Sequence, residues 1–274
     1  LDGFKKSGKI HEGALEDKGY LLLSSYDKTK GQSIVELIRI IDQRILYKWI
    51  PDIDVLRTLT NNEIIKSSFR MIHPLLLEDG GLVFKNNYFP LFKIGPSSSV
   101  EWYVDGIFHH STELDAEGNI WVGARKNSRY AGTFDIGEDF IVQISPSGKV
   151  LFEKSVAKIL DENGYRYLWW VRFGQSSDPF HLNDIQPVLT DSKFWKKGDL
   201  LLSLRNLNTI ILYRPETDKI AWLKTGPWMH QHDVDIVSDH KISVFGNDVL
   251  DGRNIILNGH NNVYLYNFTN DTVT

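Results

Sequence analysis

Two hydrophobic patterns alternate along the chain. The first is a pair of apolar, β-branched runs around a polar turn, the second run often closed by an aromatic residue. It occurs as Glu36-LIRIIDQRILYK-Trp49, Pro90-LFKIGPSSSVE-Trp102, Phe140-IVQISPSGKVL-Phe152 and Ile210-ILYRPETDKIA-Trp222. A fifth copy begins at Val263, sets Val273 opposite Ile220 and Thr274 opposite Ala221, and stops one residue before its expected aromatic. The second pattern is a histidine followed four residues later by an apolar residue, then a turn and another strand-like run. Its copies are His73-PLLLEDGGLVFKN, His110-STELDAEGNIWVGAR, His181-LNDIQPVLTDSKFWKKGDLLLSLR and His232-DVDIVSDHKISVFGND. Taken in chain order, the two patterns make four strands per repeat. The closing aromatics fall 53, 50 and 70 residues apart, and the long interval holds a helical-looking insertion from Ser155 to Gly164. Such a period with four strands predicts one all-β domain over residues 1–274. The expected architecture is a six-bladed β-propeller, its last blade incomplete in this sequence, with very little helix beyond the insertion.

Radial repetition points the first strand of every blade at a central channel, so equivalent residues of successive blades converge there. His73, His110, His181 and His232 are therefore expected to share one cavity. The spacing of four to an apolar residue favours His110 over His109 and His232 over His230. Strand alternation sets Asn183 on the same face as His181. Arg125 and Arg205 close equivalent second strands, GNIWVGAR and GDLLLSLR, within reach of the same rim. Imidazole and guanidinium donors converging in a low-dielectric channel suit a tetrahedral oxyanion such as sulfate. Converging imidazoles also bind metals. The absence of Cys, the lack of a short His-x-His pair outside His230 and His232, and the arginine speak against that, so neither a metal nor a cofactor is expected. Most of the eight Trp and fourteen Phe are expected to wedge blades together, Trp49, Trp102 and Trp222 among them. Trp169, Trp170 and Trp228, near the loops leading to His181 and His232, are candidates for an aromatic wall against a ligand.

Composition narrows the partners. With 31 Lys and Arg against 35 Asp and Glu, the net charge is −4, and no basic block follows a phosphate backbone, which excludes nucleic acid. Zero Cys excludes disulfides, thiolate metal sites and a Cys nucleophile. No apolar run reaches the roughly 20 residues of a membrane span, and Leu1 to Ile10 lacks the layout of a secretory signal. Nothing in the pattern sets an oligomeric state.

The stretch from Asp178 to Asp248, with PFHLND, GDLLLSLRNLNTI, KIAWLKTGPW, HQHDVDIV and ISVFGND, resembles the bacterial arylsulfate sulfotransferases and their arylsulfotransferase-like relatives. GYLLLSSYD at Gly19 is similar to the family's opening blade, and FHHSTELDAEGNIWVGAR resembles its His-His-Asp strand, with Ser111 in place of the acidic residue. The dedicated disulfide and N-terminal β-sandwich of the best-known enzymes of the family have no counterpart here. The resemblance implies a nucleotide-independent sulfotransferase that moves a sulfuryl group from an aryl sulfate to a phenol through a sulfohistidine. It implies His232 as nucleophile, with His110, His181 and Arg205 as catalytic partners, Asn183 as a sulfate-binding residue, and a periplasmic or extracellular location. Trp170 and Trp228 complete the expected substrate-binding residues. The competing expectation is a non-catalytic propeller that binds a partner within a larger assembly. A third is a metal-dependent lyase or hydrolase built on the histidines.

Overall fold

The computed structural model describes residues 18–130, 134–170, 177–247, 251–252, 255–256 and 261–274. Strands β1 (Tyr20–Asp27), β2 (Gln32–Arg39) and β3 (Arg44–Trp49) form an antiparallel sheet. A short helix α1 (Ile53–Leu59) leads to β4 (Ile72–Leu76), β5 (Leu82–Lys85), β6 (Phe89–Ile94) and β7 (Val100–Leu114). β8 (Ile120–Tyr130), β9 (Phe134–Ile144) and β10 (Val150–Ser155) continue the same sheet, in the order β10-β9-β8-β7-β6-β5-β4. These seven strands are two repeats joined through β7. Its first half pairs with β6 and its second half with β8. Gly106, at φ 149°, lies between the halves, and a Cβ there would stand 3.0 Å from the Phe108 ring. Only glycine turns the chain there without displacing that ring.

Helices α2 (Val156–Glu162) and α3 (Tyr167–Trp170) precede β11 (Leu182–Pro187) and β12 (Leu200–Leu204). A 3₁₀ turn, Arg205–Leu207, links β12 to β13 (Thr209–Arg214), and β14 (Lys219–Thr225) closes this four-stranded sheet. Next come β15 (Val234–Ser238), β16 (Lys241–Asn247), the two-residue strands β17 (Asp251–Gly252) and β18 (Ile255–Ile256), β19 (Asn261–Asn267) and β20 (Thr272–Val273). The order β15-β16-β19-β20 makes another four-stranded sheet, with β17 and β18 paired apart from it.

Local chemistry explains most of these elements. The strands are the β-branched runs of the sequence, and their turns hold Asp, Asn and Gly where tight geometry needs them. Between β7 and β8, Asp115 Oδ1 accepts the N–H groups of Glu117 and Asn119 at 3.0 and 2.8 Å. Helix α2 lies inside the insertion expected to be helical. Ser155 Oγ caps it by accepting the Lys158 N–H at 3.1 Å, and Val156, Ala157, Ile159 and Leu160 are buried against Trp169, Phe180 and Leu182. Helices α1 and α3 go beyond the small helix content expected. Asp52 caps α1 from the Asp54 and Val55 N–H groups, and only Ile53 and Leu56 are buried, too short a run for a helical period to show.

The first strands β1, β4, β7, β11 and β15 touch one another in succession. Each sheet thus meets the next along its inner strand, as in a propeller. Side chains staple these contacts: Ser111 Oγ accepts the Ile185 N–H at 3.1 Å, Asp184 Oδ2 that of Val234 at 3.0 Å, and Asp139 Oδ2 that of Leu182 at 2.8 Å. Apolar clusters fill the space between sheets. One runs from Val188, Trp195, Leu201 and Leu212 to Trp228, Val234, Val244 and Tyr266. Each large side chain fully removed from water there contributes about 1.5–3 kcal/mol.

Candidate active site

The inner strands carry histidines in an uncommon backbone state. His73, His110, His181 and His230 have φ of 43°, 53°, 52° and 44°, the left-handed region that non-glycine residues rarely adopt. In β4, β7 and β11 the pairing register shifts at or beside the histidine, between Ile72 and Leu75, His109 and Thr112, and Leu182 and Asp184. Such bulges re-aim side chains and favour sites. The positive φ also amends the expected register by two residues in the fourth copy. The shared position in the fourth copy belongs to His230, followed four residues later by buried Val234, as Leu77 follows His73. His232 instead stands two residues beyond, where β11 has Asn183 and β7 has Thr112.

His110 and His181 meet edge to face with ring centroids 4.9 Å apart. His110 Nδ1 lies 2.9 Å from His109 Nδ1, and His109 Nε2 is 3.4 Å from Asp139 Oδ1. Gly123 opposite leaves the room: a Cβ there would stand 3.0 Å from His109 Cε1. His181 Nδ1 lies 2.5 Å from Asp178 Oδ2, and its backbone N–H donates to Asp178 Oδ1 at 3.1 Å. Arg125 bridges the two carboxylates, with Nη2 2.7 Å from Asp178 Oδ1 and Nε 3.2 Å from Asp139 Oδ1. The same guanidinium lies 5.1 Å from the centre of the Tyr88 ring, whose centroid is 5.5 Å from that of His109. Arg205 opens the 3₁₀ turn, one residue past the end of β12. Its N–H donates to the His181 carbonyl at 3.1 Å, and its Nη1 donates to Asn206 Oδ1 at 2.9 Å. Asn206 Nδ2 in turn donates to the Asp178 carbonyl at 2.7 Å, tying the turn to the segment before β11.

Electrostatics separates the rings. Burial lowers the pKa of His232, and the charges of Arg205, His181 and His230 lower it further, so this ring stays neutral below the usual imidazole range. Burial holds His110 down to about 2, with His109, His181, His232 and Lys85 adding to the effect. His73 falls to about 4 through burial, Lys85 and His232. Asp178 titrates at about 2: burial alone would raise it, and the hydrogen bonds from His181 and Arg125 with their charges prevail. Behind β7, fully buried Lys85 of β5 donates to Thr112 Oγ1 at 2.6 Å and is lowered to about 7 by burial. Glu113 rises to about 7, through burial first and then the charges of Asp233 and Asp235. Among the described residues no group of three or more His, Asp or Glu side chains is arranged to hold a metal ion.

The expected residues fare differently. His110 and His181 pack together, and the charges of Arg205 and His181 act on His232. Asn183 does not follow the simple alternation, because the bulge at Leu182 and Asp184 interrupts it. It is buried against the next repeat, with Nδ2 donating to the Gln231 carbonyl at 2.9 Å and Oδ1 without a hydrogen-bond partner. Trp228 is no ligand wall: it is fully buried in the cluster between the last two four-stranded sheets. Trp169 is likewise fully buried, whereas Trp170 at the end of α3 is 43% exposed. Sequence reasoning assigned no role to Asp139, Asp178 and Tyr88 and set His109 aside. The signals were faint: an acidic residue three before His181, and Asp139 opposite Arg125 across β8 and β9.

Comparison with known proteins adds three findings. The sequence model of the family described as arylsulfotransferase (ASST) matches residues 75–274. No curated protein matches the chain. Among solved structures, a protein of unknown function from Bacteroides caccae is similar with a TM-score of 0.54 and 11% identity, over 93% of this chain and 70% of that one. The Pan2 WD40 domain of Neurospora crassa is similar with a TM-score of 0.51 and 12% identity, over 94% of this chain and 62% of that one. At such identities the likeness concerns fold alone, and WD40 domains are propellers.

Proposed function

As the chain belongs to the arylsulfotransferase (ASST) family, we propose that it transfers a sulfuryl group from an aryl sulfate ester to a phenol through a sulfohistidine on His232. The observation that supports this reading most is a ring kept neutral, and so nucleophilic, beside Arg205 and His181. A ring nitrogen of His232 attacks sulfur in line while the bond to the aryl oxygen breaks. Arg205, His181 and His110 stabilise the charge that spreads over the sulfuryl oxygens. The incoming phenol then attacks the sulfohistidine and restores the imidazole. Buried Asn183, with an unpartnered carbonyl oxygen, orients the Gln231–His232 segment through its hydrogen bond to the Gln231 carbonyl. Trp170 remains the aromatic candidate for ligand contact. The same reading takes the propeller as six-bladed and its location as periplasmic or extracellular, both from the family resemblance.

The test is a mass measurement. Incubated with 4-nitrophenyl sulfate and no acceptor, the protein is expected to gain sulfuryl mass on the peptide that contains His230 and His232. His232→Ala abolishes the gain and His230→Ala keeps it. Labelling that survives His232→Ala and vanishes in His230→Ala transfers the role to the left-handed histidine. Full transfer activity in both variants removes the sulfohistidine from the reaction.

A further inference from the structure

A displacement at sulfur needs a proton for the departing aryl oxygen, and the histidines around His232 are not equally able to give one. His110 faces His109 ring to ring, and burial with four neighbouring bases keeps it unprotonated. Among the described residues, His181 alone of the expected catalytic histidines has a carboxylate on its ring, Asp178 Oδ2 at 2.5 Å from Nδ1. That carboxylate is held from two further sides, by the His181 N–H at 3.1 Å and by Arg125 Nη2 at 2.7 Å, and its own loop is pinned by Asn206 at 2.7 Å. An ionised carboxylate only accepts hydrogen bonds, so Asp178 requires the proton of His181 on Nδ1 and leaves Nε2 as the nitrogen that exchanges with a ligand.

We propose that Asp178, braced by Arg125, is the positioning residue that makes His181 the proton donor to the leaving phenol. The proposal rests on the sulfuryl-transfer reading above. In the first half-reaction the His232 lone pair forms the N–S bond, the S–O bond breaks with its electron pair going to the aryl oxygen, and His181 Nε2 gives that oxygen its proton. His181 is then neutral, still donating Nδ1–H to Asp178. In the second half-reaction the acceptor phenol gives its proton to His181 Nε2 as its oxygen attacks sulfur and the N–S bond breaks. The charged and titratable groups around His181 are Asp178 of its own segment, His109 and His110 of β7, Arg125 of β8, Asp139 of β9, Arg205 of the 3₁₀ turn and His232 before β15. Among these, Asp178 is the one whose carboxylate lies within hydrogen-bond distance of the His181 ring.

Leaving-group dependence separates this role from a structural one, because an acid catalyst matters most for a poor leaving group. In the full chain, Asp178→Asn is expected to slow transfer from phenyl sulfate by on the order of 10²-fold, and transfer from 4-nitrophenyl sulfate by less than about tenfold. Imidazole ¹⁵N spectra recorded as pH is raised until His181 is neutral are expected to show its remaining proton on Nδ1, and to show it redistributed to Nε2 in the variant. Equal slowing of both esters, unchanged rates, or an unchanged tautomer overturns the role of Asp178 while transfer itself stands. A wild-type protein inert toward both esters overturns the sulfuryl-transfer reading, and this proposal with it.

Discussion

A non-glycine residue in the left-handed region is strained by about 1 kcal/mol or more, so a repeat that does this at His73, His110, His181 and His230 holds it by surrounding contacts. At His181 the contact is visible: Asp178 takes both the backbone N–H and the ring of the same residue. Nearby, Glu113 of β7 and Lys85 of β5 show burial acting on opposite charges, since both are driven to about 7 from opposite sides. The sign for Glu113 is plain. Its folded pKa is raised above the unfolded value, so its stabilising contribution is full below pH 4.5 and is lost as pH rises through about 7. Glu113→Gln removes that loss. The melting temperature of the variant relative to wild type is expected to rise between pH 5 and pH 8, by on the order of a few degrees. A difference that stays flat over this range means that Glu113 ionises as freely in the folded protein as in the unfolded chain.

At the scale of elements, β7 is the most economical piece of the design, one strand that ends one repeat and begins the next. Its second half carries His109, His110, Ser111 and Thr112, and each has a different duty: ring contact with His110, ring contact with His181, a staple to β11, and an acceptor for Lys85. Where the family motif has an acidic residue, Ser111 serves the interface with β11, and Asp184 does the same toward β15. Helix α2 lies outside this chemistry and matters for packing. Ser155→Ala removes its N-cap and is expected to lower stability by about 1 kcal/mol, measured by urea denaturation, with sulfuryl transfer retained. A loss of transfer in a folded Ser155→Ala protein would tie α2 to the site.

Across the whole molecule, His110 comes from β7, His181 from the start of β11, Arg205 from the end of β12 and His232 from the approach to β15, so three sheets build one site. In the proposed reaction a single nucleophile at that meeting point serves donor and acceptor in turn. Initial-rate plots with varied aryl sulfate and phenol are therefore expected to give parallel double-reciprocal lines. Intersecting lines mean that both substrates bind together and remove the covalent intermediate. The proposed binding of a sulfate ester to a protein of net charge −4 depends on local donors such as Arg205 and not on overall charge.

The strands, their turns and the helical insertion were legible because they depend on near neighbours: a period of two for a half-buried strand, Asp, Asn and Gly at tight turns, and Val156, Ala157, Ile159 and Leu160 at helical spacing for α2. Repetition carried this further, to the expectation that His73, His110, His181 and His232 would meet, of which His110 and His181 are in ring contact. Sequence spacing could not separate His230 from His232, since Val234 and Ile236 are both apolar four residues on. That choice lies in the sign of φ at the histidine, which packing against adjoining strands decides. The burial of Trp228 and Asn183 and the grip of Arg125 on Asp139 and Asp178 belong to the same class. Each joins groups from different strands or sheets. A pattern read along one strand tells which face is apolar, whereas the identity of a partner is set only when neighbouring sheets close on each other.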